Sequence, residues 1–300
     1  VYATSGRYIE SLQELAMSSK SAESEAHFEK RPIADIEQEK ELGESAPFGP
    51  IAPLKSFKTA SLSVDKRLED AYYDKDLHAA EAVVDLYQEG VEVSRIHRVL
   101  SVGMLGLKKK RRLVPTRWSI TATDDIISVS LVNSLVIYPQ IDRFEVYKYS
   151  HLGNHYSIIL IPDDIWSFEM KEVWFDNNGN IGMGMDFEDA RGLDHYPSIA
   201  GAYFAARLGI AEHLSKRRRK GAGLALREIH PDYVMPVGVW QIREGIREAL
   251  KTQKREFETF EKALNFACIS LSTSKKEWIK GSKIFKFIEQ RRLTDFLSDK

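Results

Sequence analysis

Charged residues embedded in otherwise apolar sequence are the first candidates for chemistry in this chain. With one neighbouring aromatic residue they form a set of seven: Arg117, Trp118, Asp124, Arg227, Glu228, Arg243 and Glu244. A buried charge is costly unless it is paired, so these residues form structural ion pairs or line a polar pocket. Such a pocket could bind or process a nucleotide or a DNA end. The residue types alone leave both interpretations open.

A metal or cofactor site has weaker support. The carboxylates of Asp124, Asp125 and Glu228 could hold Mg²⁺ through oxygen ligands, but their spacing matches no metal-binding motif. Cys268 is the only cysteine, which excludes a multi-cysteine zinc site within this sequence. There is no Walker lysine motif or convincing dinucleotide-binding glycine motif. The sequence therefore predicts no cofactor and leaves open whether the chain is an enzyme.

The C-terminal residues have the spacing of a docking peptide. Gln290, Leu293, Phe296 and Leu297 form the pattern Gln-x-x-Leu-x-x-Phe-Leu. In a 3₁₀-type turn, side chains three residues apart lie on one side, so Leu293 and Phe296 would form an apolar plug beside Leu297. The pattern resembles the sliding-clamp-binding peptide (PIP box) of DNA replication and repair proteins, many of which have a second aromatic residue where Leu297 stands. The alternative is a helix end whose apolar residues pack on the core.

Two runs of five basic residues contrast with a net charge of −1. They are Lys108, Lys109, Lys110, Arg111 and Arg112, and Lys216, Arg217, Arg218, Arg219 and Lys220. Local positive potential favours phosphate contacts, although each run alone could be a solvated loop. In a chain with a clamp peptide, the two runs together predict contact with the DNA backbone. Trp118 beside Arg117 could stack on an exposed base or belong to the core.

Longer segments extend the resemblance over nearly the whole chain. They are LSVGMLG (100–106), RLVPTRWSITATDD (112–125), AYFAARL (202–208), LREI (226–229) and PVGVWQIRE (236–244). These segments resemble the archaeal Nre DNA-repair family, and a clamp-binding peptide at the C-terminus is typical of that family. The resemblance implies a DNA-damage response through the clamp and brings no catalytic residues with it. Family members usually begin with a further segment, often bearing a cysteine zinc ribbon, and we expect this chain to start after it.

The elements that would position these residues point to an α+β fold. Hydrophobic spacing predicts a mostly helical chain with a small antiparallel sheet and a flexible C-terminal tail. Residues 113–120 read as extended, and the glycines between 179 and 184 as a flexible break. We therefore expect an N-terminal Nre-like region over 1–181, a helical C-terminal Nre-like region over 182–275, and a tail over 276–300 with the clamp-binding motif.

Composition limits the remaining possibilities. Three hundred residues, 43% of them apolar, can bury a large core. No run of eighteen apolar residues exists, so no membrane partner is expected, and the cysteine usage suits a reducing cytoplasm. We predict a nucleoid-associated DNA-repair factor whose partners are a sliding clamp and DNA. The alternatives are an enzyme that processes DNA or a nucleotide at Arg117, Asp124, Arg227 and Glu228, and a scaffold that binds a partner through acidic residues 20–46.

Overall fold

The computed structural model describes residues 6–31, 52–60, 62–176, 178–233 and 237–289. The chain divides into two compact units, Val1–Ile127 and Ser128–Lys300. The division falls within a single helix of 20 residues, Thr116–Leu135. The first unit contributes the N-terminal part of this helix and the second unit the remainder.

The first unit is mainly helical. Its described elements are α1 (Arg7–Met17), β1 (Ser24–Phe28), β2 (Leu54–Thr59), α2 (Lys66–Tyr73), α3 (Ala79–Gln88), α4 (Val93–Ser101), a 3₁₀ turn (Lys108–Lys110) and the start of α5 (Thr116–Leu135). The strands β1 and β2 pair with each other in an antiparallel ribbon. The ribbon is exposed along most of its length, so the helices supply most of the buried surface of this unit.

A buried carboxylate organises the helices of the first unit. Asp65 caps α2 by accepting a hydrogen bond from the backbone N–H of Arg67 at 3.2 Å. The side chains of Arg67 and Arg95 also donate to Asp65, at 2.8 and 2.6 Å. Hydrogen bonds from Arg67, and then from Arg95, hold the pKa of Asp65 well below its usual range. Because Arg95 belongs to α4, this cap also joins α2 to α4.

The second unit is built on a six-stranded mixed sheet. Its strands are β3 (Phe144–His151), β4 (Asn154–Ile161), β5 (Phe168–Phe175), β6 (Ile181–Glu188), β7 (Ala222–Ile229) and β8 (Arg255–Phe257). Their order across the sheet is β6-β5-β7-β4-β3-β8. The pairing of β5 with β7 is parallel and the other pairings are antiparallel. The strand β7 thus lies between two hairpins that precede it in sequence.

Helices cover both faces of this sheet. The first face, which we call the α6 face, packs against α6 (Gly201–Arg217) and α7 (Val239–Lys251) through residues such as Tyr156, Ile158 and Met170. The opposite α8 face packs against α8 (Phe260–Cys268), α9 (Lys275–Ile279) and α10 (Lys283–Glu289). Because both faces are covered, all of β7 except Ile229 is buried.

The expectation of a mostly helical chain with one small antiparallel sheet is wrong. The structure is α+β with the six-stranded mixed sheet as its centre and the β1–β2 ribbon as a second, small sheet. Of the glycines read as a flexible break, Gly182 and Gly184 belong to β6, where Gly182 lies under the indole of Trp174. A Cβ atom at Gly182 would come within 2.2 Å of that ring, so glycine serves close packing there. The expected boundary between the N-terminal and C-terminal regions, at residues 181 and 182, therefore falls within strand β6 of this sheet.

The expectation of an extended segment over residues 113–120 is also wrong from Thr116 onward, where α5 begins. Ser119, Thr123 and Ile127 recur at four-residue spacing and are fully buried. Their small or β-branched side chains conceal a helical period that longer apolar residues would have revealed. None of the described helices, α5 included, combines the length and apolar content needed to cross a membrane.

Candidate functional site

The predicted docking peptide, Gln290, Leu293, Phe296 and Leu297, lies outside the residues that the structure describes. The helix just before it, α10, is described and is packed on the α8 face of the sheet. Its Ile284 and Phe285 are buried in the same cluster as Trp278 of α9. The peptide therefore follows directly on a helix that is attached to the core.

Three buried charges attach this last part of the chain to the sheet, and sequence reasoning identified only Glu228 among them. Glu169 of β5 accepts hydrogen bonds at the N-terminus of α10, from Ser282 Oγ at 2.5 Å and from the backbone N–H groups of Lys283 and Ile284 at 2.7 and 3.0 Å. Lys171, two residues along β5 on the same face, donates to three backbone carbonyls at the end of α9. The carboxylate of Glu169 thus lies at the N-terminus of α10, and the ammonium of Lys171 lies at the C-terminus of α9, so each charge complements the helix end that it contacts.

Glu228 supplies the third attachment. Its carboxylate accepts hydrogen bonds from the backbone N–H groups of Ser272 and Thr273, at 2.9 and 2.6 Å, just before α9. Burial alone would raise the pKa of Glu228, but the hydrogen bonds from Thr273, Ser272 and His230 outweigh it, so the pKa is lowered. The sequence carried a signal for Glu169 and Lys171, because charged residues stand at alternate positions of β5. Charges on a strand that is covered on both faces need buried partners.

Arg227 and Glu228, which the sequence suggests as members of one pocket, lie on opposite faces of the sheet. Arg227 is on the α6 face, where Asn154 Oδ1 accepts from its Nε and Nη2 at 3.0 and 2.6 Å. Its Nη1 donates to Glu172, and Gln241 of α7 accepts from Nη2 at 3.4 Å. Arg227 is thus enclosed by partners from three elements, and with Glu172 it forms a structural ion pair. Glu228 instead attaches the residues before α9 to the opposite face.

Arg243 and Glu244 belong to an ion-pair network on α7. Arg243 is buried, with its Nε 3.6 Å from Glu244 Oε1. Glu244 also accepts from Arg247 at 2.9 Å, and Arg247 pairs with Glu212 of α6 at 2.7 Å. The network therefore joins α6 to α7 beside the sheet.

Arg117, Trp118 and Asp124 lie on the part of α5 that belongs to the first unit. Arg117 and Trp118 are exposed, and the guanidinium carbon of Arg117 lies 5.5 Å from the centroid of the Trp118 ring. Asp124 is fully buried. The exposed indole with its cation could stack on a base, as the sequence predicts.

The basic run 108–112 is partly used inside the first unit. Lys108, Lys109 and Lys110 form the exposed 3₁₀ turn, and Arg112 is exposed as well. Arg111 instead points inward and donates to the backbone carbonyls of Gly106, Tyr72 and Asp74. Burial lowers the pKa of Arg111. Four cations of this run are therefore presented to solvent.

The basic run 216–220 is partly neutralised inside the second unit. Arg217 makes two hydrogen bonds to the buried carboxylate of Glu145, at 2.5 and 2.7 Å, and Lys220 pairs with Asp164 at 3.1 Å. Burial acts against the charge of Glu145, but hydrogen bonds from Arg217, Lys254 and Tyr147 lower its pKa to about 2. Lys216 and Arg218 are the exposed members of this run, and Arg219 is half-buried.

A buried pair that sequence reasoning missed joins α6 to β6. Arg207 Nη1 and Glu188 Oε2 are 2.7 Å apart, and both side chains are almost completely buried. Trp166 Nε1 also donates to Glu188, and Ser128 Oγ accepts from Arg207 Nε at 3.0 Å. In the sequence, this pair is indicated by a single arginine within the apolar stretch AYFAARL.

Among all described side chains, no group of three histidine, cysteine, aspartate or glutamate residues is placed to hold a metal ion.

Comparisons with known proteins agree along the chain. A family model described as archaeal Nre, N-terminal, matches residues 1–178, and one described as archaeal Nre, C-terminal, matches residues 188–296. A DNA repair protein NreB from Archaeoglobus fulgidus is 37% identical over 295 residues, which are 96% of this chain and 74% of that protein. No solved structure matches the chain significantly.

Two proteins called DNA repair protein NreA are similar as well. The one from Archaeoglobus fulgidus is 38% identical over 237 residues, 77% of this chain and 60% of the relative. The one from Haloferax volcanii is 36% identical over 257 residues, 83% of this chain and 61% of the relative. The matched region thus spans less than two thirds of each NreA protein.

Proposed function

Because the chain belongs to the archaeal Nre family, we propose that it is a DNA-repair factor that a sliding clamp recruits to DNA. The relatives called DNA repair proteins support the repair role. The recruiting element is the C-terminal peptide, in which Gln290, Leu293, Phe296 and Leu297 dock on the clamp. The exposed cations of runs 108–112 and 216–220 contact the DNA backbone, which places the protein at the nucleoid in the cytoplasm.

The packing of α10 is the structural observation that supports this peptide. Ile284 and Phe285, which attach α10 to the core, both precede the motif. Glu169 completes the attachment by capping the N-terminus of the helix. The described contacts of α10 thus attach it to the core through residues that precede the motif, as a separate docking peptide would require.

Calorimetry with the sliding clamp tests the proposal. The whole chain should bind, and a chain ending at Glu289 should not. Phe296→Ala should weaken binding by about 30-fold or more, since a buried aromatic anchor contributes about 2 kcal/mol or more. Thr294→Ala changes a position between the anchors and should leave the affinity within about threefold. Equal affinity of Phe296→Ala and the unchanged chain would refute the assignment.

Thermal unfolding separates the docking peptide from a core element. If the peptide serves only the clamp, the chain ending at Glu289 should unfold within about 1 °C of the whole chain. If Leu293 and Phe296 pack on the core, their loss should cost several kcal/mol. At about 2–4 °C per kcal/mol for a unit of this size, the midpoint would then fall by about 5 °C or more, which would contradict the proposal.

A further inference from the structure

We propose that three exposed lysines on the α9–α10 segment (residues 275–289) contact the phosphates of duplex DNA beside the clamp. They are Lys276, Lys283 and Lys286. This surface is separate from runs 108–112 and 216–220. The inference rests on the proposed function, because it names a further DNA-contacting surface of the same recruited protein.

The three lysines share the outward side of the segment. In α9 the fully buried Trp278 points to the sheet, and Lys276, two residues earlier, lies on nearly the opposite side at 3.6 residues per turn. In α10, Ile284 and Phe285 face the core, whereas Lys283 and Lys286, three residues apart, lie next to each other on the exposed side. Both helices pack on the α8 face, so the lysines point away from the sheet.

The charge of this segment is not balanced by the acidic residues within it. Residues 275–289 contain five lysines and two glutamates in a chain with a net charge of −1. Lys275 pairs with Glu261 at 3.7 Å and Lys280 with Glu277 at 3.8 Å. With the residues that the structure describes, the remaining three lysines form no ion pair within 4.0 Å. They differ in this from Arg217 and Lys220, which are paired.

The backbone under these lysines is held in place. Glu169 and Lys171 bind the facing ends of α10 and α9, and Glu228 binds the residues before α9. A cation on a fixed backbone loses less conformational freedom on binding than one on a mobile loop. A lysine ammonium acts as a point charge on phosphate and needs no particular base. The surface therefore suits sequence-independent contact with a duplex.

The position next to the docking peptide brings this surface to DNA. Gln290 is four residues beyond Lys286, and a chain spans at most about 3.6 Å per residue, so their Cα atoms are within roughly 14 Å of each other. A protein docked through Gln290 on a DNA-bound clamp therefore keeps Lys286 within roughly 14 Å of the docked residue. Tethering at this distance raises the effective concentration of the lysines at the phosphates.

The test is the salt dependence of binding to a DNA duplex, measured by fluorescence anisotropy of the whole chain without the clamp. The variant combines Lys276→Gln, Lys283→Gln and Lys286→Gln. The matched control combines Lys20→Gln, Lys30→Gln and Lys55→Gln, which removes the same charge from exposed positions of the first unit. Each phosphate contact contributes about 0.9 to the slope of log K against log salt. The variant should lose about 2–3 from this slope, and the control less than about 0.5.

Several results would overturn the inference. They are a wild-type chain that does not bind the duplex, an unchanged slope in the variant, and equal losses in variant and control. If the variant instead loses affinity for the isolated clamp in calorimetry, an acidic clamp surface is the partner and the DNA contact is refuted. Failure of the proposed function is distinguishable, because a chain that fails to bind the clamp could still show the slope change.

Discussion

Replacement of Lys171 by methionine is the most direct test of how the C-terminal part of the chain is held. Lys171 is completely buried, and its Nζ donates to the carbonyls of Glu277, Trp278 and Lys280 at 2.9, 2.9 and 2.6 Å. Helix carbonyls at a C-terminus have no partner within the helix. Methionine has a similar length but no donor, so Lys171→Met leaves these carbonyls without the ammonium.

The size of the effect follows from two opposing contributions. A hydrogen bond to a charged group contributes about 1.5–3 kcal/mol, so three bonds contribute roughly 5–9 kcal/mol. Burying the ammonium costs several kcal/mol, consistent with the lowering of the pKa of Lys171 by burial. We therefore expect a net loss of about 3 kcal/mol. At about 2–4 °C per kcal/mol for a unit of this size, the midpoint should fall by about 6–12 °C.

Thermal unfolding gives the global effect and amide hydrogen exchange gives its location. Exchange in residues 275–289 should accelerate in Lys171→Met, because the end of α9 loses its attachment to β5. Lys262→Met on α8 is the control, since that side chain is 65% exposed and its ion pair with Glu258 is long, at 3.9 Å. It should change the midpoint by less than about 2 °C. An unchanged midpoint together with unchanged exchange in Lys171→Met would refute the reasoning.

Two further predictions concern β6 and β3. Gly182→Ala should destabilise the chain by about 1–3 kcal/mol in urea, because its Cβ would meet the indole of Trp174 at 2.2 Å. In a Trp174→Ala background the same change should cost less than about 0.5 kcal/mol, and an equal cost in both backgrounds would contradict the contact. The pKa of Glu145 is lowered from 4.5 to about 2, so its ionised form stabilises the fold above pH 4.5, and this contribution is lost as pH falls toward 2. The free energy of unfolding of Glu145→Gln should be about 2–3 kcal/mol below that of the unchanged chain at pH 7, and this difference should shrink between pH 4.5 and 2; a constant difference would show that the charge of Glu145 is not responsible.

Local sequence patterns predicted single elements better than their assembly. The period of apolar residues predicts helices over 7–17 and 240–251, and the structure has α1 over Arg7–Met17 and α7 over Val239–Lys251. It did not reveal that β7 pairs with both β4 and β5, because these partners are far away along the chain and pairing leaves no local mark. The number of strands that join in the sheet of the second unit was therefore underestimated.

The separation of two members of the candidate pocket follows from the sequence alone. The short apolar segment 224–229 is compatible with a buried strand, and side chains alternate between the faces of a strand. Arg227 and Glu228 could therefore have been expected on opposite faces, as the structure places them. The partners of Arg227, which include Asn154 and Glu172, come from separate strands and could not have been identified from one sequence. For the basic runs, composition did not show that Arg111 and Arg217 would be used internally.

The strand β7 lies at the centre of the sheet but is synthesised after both of its neighbours, β4 and β5. The hairpins β3–β4 and β5–β6 are made before β7, and each then has an unpaired edge where β7 will later bind. About 68 residues separate the end of β4 at Ile161 from the end of β7 at Ile229, which ribosomes produce in roughly 3–14 s at 5–20 residues per second. During that interval the edge of β4 is open to other chains, and once β5–β6 is complete at Glu188 the edge of β5 is open as well. A nascent chain of this protein is thus most in need of chaperone protection in the seconds before Ile229 leaves the ribosome.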